Sequence, residues 1–214
     1  MKNMLIVALT GGIATGKSIV AGIWQELGCY IHQADRTAQE LMEPGSPAWE
    51  KIAAHFGSEI LDPKTRKVDR KRLGQRVFSN SQDREFLNRL LHPLVLDRKK
   101  ADISRLQSGG LYRVFVSEAA LTIEAGFTHL FHKVVVTYCP REVQVTRLEK
   151  RDGIGREEAL RKLSSQMAAE DKLAHADYVI RTEGSLASTI EQAERVYRYL
   201  LQDYRLLFPA DDTA

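Results

Sequence analysis

The chain has 214 residues, 31 of them basic and 28 acidic, for a net charge of +3 at pH 7. That length buries a core without disulfides; the charge is too balanced to argue for nucleic acid, while a mild basic excess suits an enzyme that handles small polyanions. Cys29 and Cys139 lie far apart and outside any C-x-x-C pattern, which excludes a disulfide framework or a zinc site.

The first predicted element is a strand over 4–10, an apolar run beginning Met4-Leu5-Ile6-Val7. It is too short to span a bilayer and runs straight into a glycine motif, so no secretory leader is read and a soluble, cytoplasmic protein is expected. The motif is Gly11-Gly12-Ile13-Ala14-Thr15-Gly16-Lys17-Ser18, a complete G-x-x-x-x-G-K-S loop between a strand and a predicted helix over 18–27. Gly11 and Gly16 permit backbone angles and close approach that a Cβ would obstruct. The loop amides then converge on phosphate at a helix N-terminus. Lys17 is placed to reach β- and γ-phosphates, and the Ser18 hydroxyl to ligate Mg²⁺. Gly11, Gly12, Ala14, Thr15, Gly16, Lys17, Ser18 and Ile19 are therefore the candidate nucleoside triphosphate contacts.

A second strand over 29–33 leads to Asp35. A carboxylate at the carboxyl end of a parallel strand can accept the proton of an attacking hydroxyl, or it can cap the helical run Thr37–Met42. Position alone leaves both open. Residues 36–108 read as several helices without a convincing strand, broken at Pro44-Gly45-Ser46-Pro47, Asp62-Pro63 and His92-Pro93. An insertion there can hold a second substrate. Within it, residues 64–72 carry six basic side chains in nine, Arg70 among them, as a grip on substrate phosphate or as a solvated charged turn. No aromatics interleave with them to stack bases. His92 sits where the backbone before proline leaves the helix, with a structural role or a substrate contact both possible.

A strand over 112–118 ends in Ser117-Glu118 and lacks the Asp with which many P-loop ATPases hold Mg²⁺ through water. His129 and His132, with no Cys or carboxylate pair nearby, read as surface histidines. After a strand over 133–138, a helix over 140–150 places Arg147 and Arg151 four apart on one face. Two guanidinium groups there suit a transferring phosphoryl group, or pair with Glu142 and Glu149. A charged helix over 156–172 reads as part of a mobile lid. A strand over 177–181 and a helix over 186–204 close the chain. Strands alternating with helices predict an α/β fold, a five-stranded parallel sheet with helices on both faces. The expected divisions are a P-loop core (1–35, 109–140 and 176–214), a helical substrate domain (36–108) and a lid (141–175). Neither a D-x-x-G after the third strand nor an N-K-x-D is found, which disfavours hydrolytic switches.

These residues together resemble the dephospho-coenzyme A kinase family from Leu5 to about Tyr199. The resemblance is carried by Ala8-Leu9-Thr10-Gly11-Gly12-Ile13, Ala34-Asp35, Phe56-Gly57, Asp69-Arg70, Val77-Phe78, Leu87-Asn88, Leu91-His92-Pro93 and Glu124-Ala125-Gly126. It continues through Arg147, Arg151-Asp152, Gln166 and Ala176-Asp177-Tyr178-Val179-Ile180 followed by Gly184. It implies ATP-dependent phosphorylation of the 3′-hydroxyl of dephospho-coenzyme A, with Mg²⁺ accompanying ATP. The implied partners are these two small molecules, without nucleic acid or membrane, in a monomer or weak homo-oligomer. Asp35 would be the general base, with Lys17, Arg147 and Arg151 catalytic and Asp35, Arg70, His92 and Glu124 on the substrate side. Another P-loop small-molecule kinase, of nucleoside monophosphate or shikimate type, or a non-catalytic P-loop module are the alternatives. The sequence departs from the family pattern at Gln33, Ala14, Ile19, Ala120, Thr122, Ile123 and Thr182.

Overall fold

A computed structural model describes residues 3–209; the expected core ends at residues 1, 2 and 210–214 lie outside them. The central strand is β1 (Leu5–Gly11), and all seven of its residues are buried. Such a near-continuous apolar run suits a parallel strand covered on both faces. It pairs in parallel with β3 (Val114–Glu118) on one side and β4 (Lys133–Tyr138) on the other. With β2 (Tyr30–Gln33) and β5 (Tyr178–Arg181) outermost, the sheet order is β2-β3-β1-β4-β5.

Alternation along β1 assigns its two faces. Leu5, Val7 and Leu9 join one core with Val20, Ala21 and Trp24 of α1 (Lys17–Glu26) and Ala193, Val196 and Leu200 of α9 (Leu186–Leu207). Trp24 Nε1 donates to Ala193 O at 2.9 Å, so the buried indole is satisfied and the two helices are fastened. Ala8 instead joins Ile123, Val134 and Val136 in a separate cluster. Helices cover both faces, as expected. Cys29 lies in the first core, and burial pushes its thiol up to about 12.

Residues Ala34–Ser104 form one compact unit, and Met1–Gln33 with Arg105–Ala214 form the other. The helical unit contains α2 (Ala34–Leu41), α3 (Pro47–Phe56), α4 (Arg70–Ser79) and most of α5 (Ser81–Gly109). Its core is Ile52, Phe56, Ile60, Leu61 and Leu73. Ser46 Oγ accepts Trp49 N–H at the start of α3, with Pro47 as the first helical residue. Most of the basic run belongs to a turn and a helix start. Asp62 accepts from Lys64 and Thr65, Leu61 bridges Val68, and Asp69 caps α4 through Lys71 and Arg72.

Three expectations are corrected. Asp35 is not an N-cap, because α2 begins one residue before it and places it in the first turn. The chain does not break at His92-Pro93: α5 continues through Pro93 for 29 residues. Proline forfeits one ladder hydrogen bond, while Phe86, Leu87 and Leu90 stay packed on the helical core. The helix expected over 156–172 is two, α7 (Arg156–Leu163) and α8 (Ala169–Lys172), separated by a turn. α6 (Arg141–Asp152) precedes them.

His132 is exposed, as expected of a surface histidine, yet its ring is engaged. Its Nδ1 accepts Ile6 N–H at 2.8 Å, and its backbone N–H donates to Ile6 O at 2.8 Å. The side chain thus takes the place of a ladder acceptor just before β4 begins. Burial lowers the His132 pKa from its ordinary 6.5. A lowered folded pKa means that the folded state binds fewer protons, so this contribution is complete above about pH 6.5 and is lost as pH falls through the folded value. His132→Ala is expected to cost about 1 kcal/mol at pH 7.5 and to reduce the slope of stability against pH below 6.5, measured by urea unfolding across pH. An unchanged slope would show that protonation of His132 is not linked to folding.

Candidate active site

Chain direction and sheet register bring the glycine loop, the end of β3 and the end of β4 to one edge of the core. Gly11 has φ +148°, and a Cβ there would fall on the Thr137 carbonyl and hydroxyl and on the Thr15 hydroxyl. Only glycine lets β1 turn so close to β4. Thr15 fills the inside of the curl: its Oγ1 lies 2.9 Å from Gly12 O and 2.8 Å from Thr137 Oγ1. Gly16, left-handed at φ 85°, then opens α1 with no side-chain cap, and its carbonyl accepts Ile19 N–H at 3.1 Å and Val20 N–H at 3.3 Å.

Lys17 Nζ donates to Gly11 O at 3.0 Å and to Gly12 O at 2.9 Å. The ammonium is thereby held over the loop, where phosphate oxygens can exchange for carbonyls. Ser18 Oγ donates to Glu118 Oε1 at 2.8 Å. A hydroxyl and a carboxylate at this spacing are hard oxygen donors of the kind Mg²⁺ uses alongside substrate phosphates. Glu118 therefore occupies the place where the sequence reading saw only a missing Asp. The signal was present in a carboxylate ending the strand beside β1. Ile19, next along α1, is half exposed.

The arginines have partners other than Glu142 and Glu149. Arg147 Nη1 donates to Ala14 O at 3.2 Å and Thr182 Oγ1 at 3.1 Å, and Nη2 donates to Thr182 O. Arg151 Nε donates to Asp152 Oδ1 at 2.7 Å, and Lys162 Nζ reaches Asp152 Oδ2 at 3.0 Å. Those hydrogen bonds hold the Asp152 carboxyl at about 2. Glu142 takes Arg156 instead.

Glu124 is engaged by side chain and backbone of its own unit. Its Oε1 accepts Lys172 Nζ at 2.7 Å and Met167 N–H at 3.2 Å, while Lys172 also donates to Ala120 O at 2.8 Å. The Lys172 side chain has no solvent exposure. This ion pair fastens the segment after β3 to the one that crosses above the loop. A cleft of about 80 Å³ lies beside that crossing, lined by Gly12, Ile13, Arg141, Gln144 and Gln166 among others. Gln166 Oε1 is buried there without a hydrogen-bond partner.

Asp35, Arg70 and His92 belong to the helical unit. Asp35 lies in the first turn of α2, Arg70 opens α4, and His92 lies within α5, with its pKa lowered by burial. Among the described residues no group of three His, Cys, Asp or Glu could hold a metal ion, and no helix is long and apolar enough to cross a membrane.

A family model described as dephospho-CoA kinase matches residues 5–188. The chain belongs to the dephospho-CoA kinase family. It is 43% identical over 187 residues to a dephospho-CoA kinase of Carboxydothermus hydrogenoformans, covering 87% of this chain and 90% of that protein. A solved dephospho-CoA kinase from Campylobacter jejuni superimposes with a TM-score of 0.68 at 31% identity, covering 95% and 99% of the two chains. A crystal structure from Thermus thermophilus gives a TM-score of 0.81 at 28% identity, covering 94% and 99%. The α/β P-loop kinase fold expected from the sequence is thus the fold observed.

Within this family member, Lys172 is the residue that the sequence concealed most completely, since lysine is rarely buried. Lys172→Met is expected to destabilise the protein by about 3 kcal/mol, because Glu124 and the Ala120 carbonyl lose their partner. Denaturant unfolding checks it, and a loss below about 0.5 kcal/mol would mean that solvent replaces the ammonium freely.

Proposed function

We propose that the chain transfers the γ-phosphoryl group of ATP to the 3′-hydroxyl of dephospho-CoA, releasing CoA and ADP. The observation that carries this reading is the Lys17 and Ser18–Glu118 arrangement at the glycine loop of a chain matched to its family over residues 5–188. The new O–P bond forms at the acceptor oxygen as the bond from the γ-phosphorus to the β,γ-bridging oxygen breaks. The acceptor proton goes to Asp35, and Lys17 balances charge developing on the leaving ADP.

Ser18 would hold Mg²⁺ with Glu118 beside it, and the ion would neutralise phosphate charge. In this reading residues 36–108 grip dephospho-CoA with Arg70 and His92, residues 141–175 close over ATP as a lid in which Arg151 serves the phosphates, and Arg147 serves them through the loop carbonyls it holds. Glu124, engaged by Lys172, lies on the substrate side in this reading and shapes it. A cytoplasmic monomer or weak homo-oligomer fits buried free thiols at Cys29 and Cys139, which suit a reducing compartment.

Purified protein with ATP and Mg²⁺ is expected to convert dephospho-CoA to CoA, followed by chromatography. Nucleoside monophosphates and shikimate serve as competing acceptors. Absence of CoA from folded protein at saturating substrates would overturn the assignment. Asp35→Asn preserves the shape of the side chain but not its basicity. It is expected to slow single-turnover transfer by about 10²- to 10⁴-fold while ATP affinity and thermal stability stay near wild type. Undiminished transfer would remove Asp35 from the role of base.

A further inference from the structure

Two of the departures from the family pattern, Ala14 and Thr182, meet at the Arg147 guanidinium. Ala14 is one of two non-glycine residues with positive φ among the described residues, at 61°, a left-handed conformation that costs an L-residue with a Cβ. Its carbonyl accepts Arg147 Nη1 at 3.2 Å. The next carbonyl, Thr15 O, accepts Thr182 Oγ1 at 2.9 Å, and that oxygen in turn accepts Arg147 Nη1 at 3.1 Å. Arg147 Nη2 closes the set on Thr182 O. The Thr182 methyl fits against Gly16, where a Cβ would lie 3.4 Å from Thr182 Cγ2. Two consecutive loop carbonyls are therefore held from behind by one threonine and one arginine, with Thr182 buried at 3% exposure.

The geometry points to Thr182 and Arg147 as a positioning clamp that keeps the Ala14-Thr15-Gly16 backbone in its phosphate-binding curl. A loop amide faces its ligand only while the carbonyls that alternate with it face away. Fixing the Ala14 and Thr15 carbonyls outward thus orients the Gly16 amide, which shares its peptide plane with the Thr15 carbonyl, and holds the curl before phosphate arrives, which lowers the ordering cost of binding. Thr182 touches no reacting atom in this role. It acts through the loop, and the inference requires only that the loop bind ATP, whichever acceptor is phosphorylated.

The test uses the full chain with Thr182→Val, which keeps shape and removes the hydroxyl, and Thr182→Ser, which restores it. Calorimetric titration with ATP and with inorganic tripolyphosphate reads the loop directly and does not depend on turnover. Thr182→Val is expected to weaken both ligands by a similar factor of about ten, with Thr182→Ser near wild type and the KM for dephospho-CoA unmoved. In an Ala14→Gly background, where a left-handed residue needs no holding, the loss caused by Thr182→Val shrinks. Weakened ATP with unchanged tripolyphosphate would make Thr182 a contact for the nucleoside and overturn the clamp. Wild-type affinity for both ligands would overturn it as well, and so would an equal loss in the Ala14→Gly background and in the native loop. A variant that merely folds less well shows a reduced binding-competent fraction and a lower melting temperature with unaltered affinity, and that result also counts against the clamp.

Discussion

The turn of β1 against β4 governs the rest of the core. Gly11 carries the chain past the carbonyl and hydroxyl of Thr137 with no room for a side chain, and Thr15 fastens the returning loop to that same hydroxyl. This one close approach sets where α1 starts. The curl of the loop is then set by backbone turns, and the sheet supplies its rigidity. Side chains have the smaller tasks of holding carbonyls out of the way and placing single charges.

The same economy is visible on the two flanks of the loop. On one, Ser18 reaches across to the carboxylate that ends β3. On the other, Lys172 is withdrawn completely from solvent to join Glu124 and the Ala120 carbonyl. A buried lysine is expensive to desolvate, and its three donors are of use only where fixed acceptors meet them. Here the acceptors come from the segment that follows β3 while the lysine comes from α8. The pair therefore specifies how two loops that border the site are joined, a role that an apolar contact would define less sharply.

The sheet, the glycine loop and the family were legible in the sequence because each rests on local pattern. A buried parallel strand is apolar throughout, a phosphate loop needs glycine at fixed positions, and five strands of the right spacing followed. What was not legible depends on partners distant in the chain. Burial of Lys172 is set by residues 120 and 124, and the Arg147 partners are at 14 and 182, whereas the sequence offered only the neighbouring Glu142 and Glu149. His132 is the surface residue it looked like, but its bond to the Ile6 backbone N–H, 126 positions away, left no local trace. The continuity of α5 through Pro93 was hidden for a different reason. Local preference at proline predicts a break, and packing of the flanking Phe86, Leu87 and Leu90 outweighs it.

Placing β1 in the middle of the sheet has a consequence for how the chain acquires its structure. Leu5 pairs with Val114, and Val7 with Lys133, so β1 stays without strand partners until about half of the 214 residues have followed it. The residues in between form a unit of helices with its own apolar core, built from contacts that close over short loops. Local contacts form quickly and long parallel pairings slowly. The helical unit can therefore form before the sheet does, and the apolar β1 must stay soluble while it waits. That interval exposes Leu5-Ile6-Val7-Ala8-Leu9 to other chains and is the stage at which this protein is most prone to aggregate.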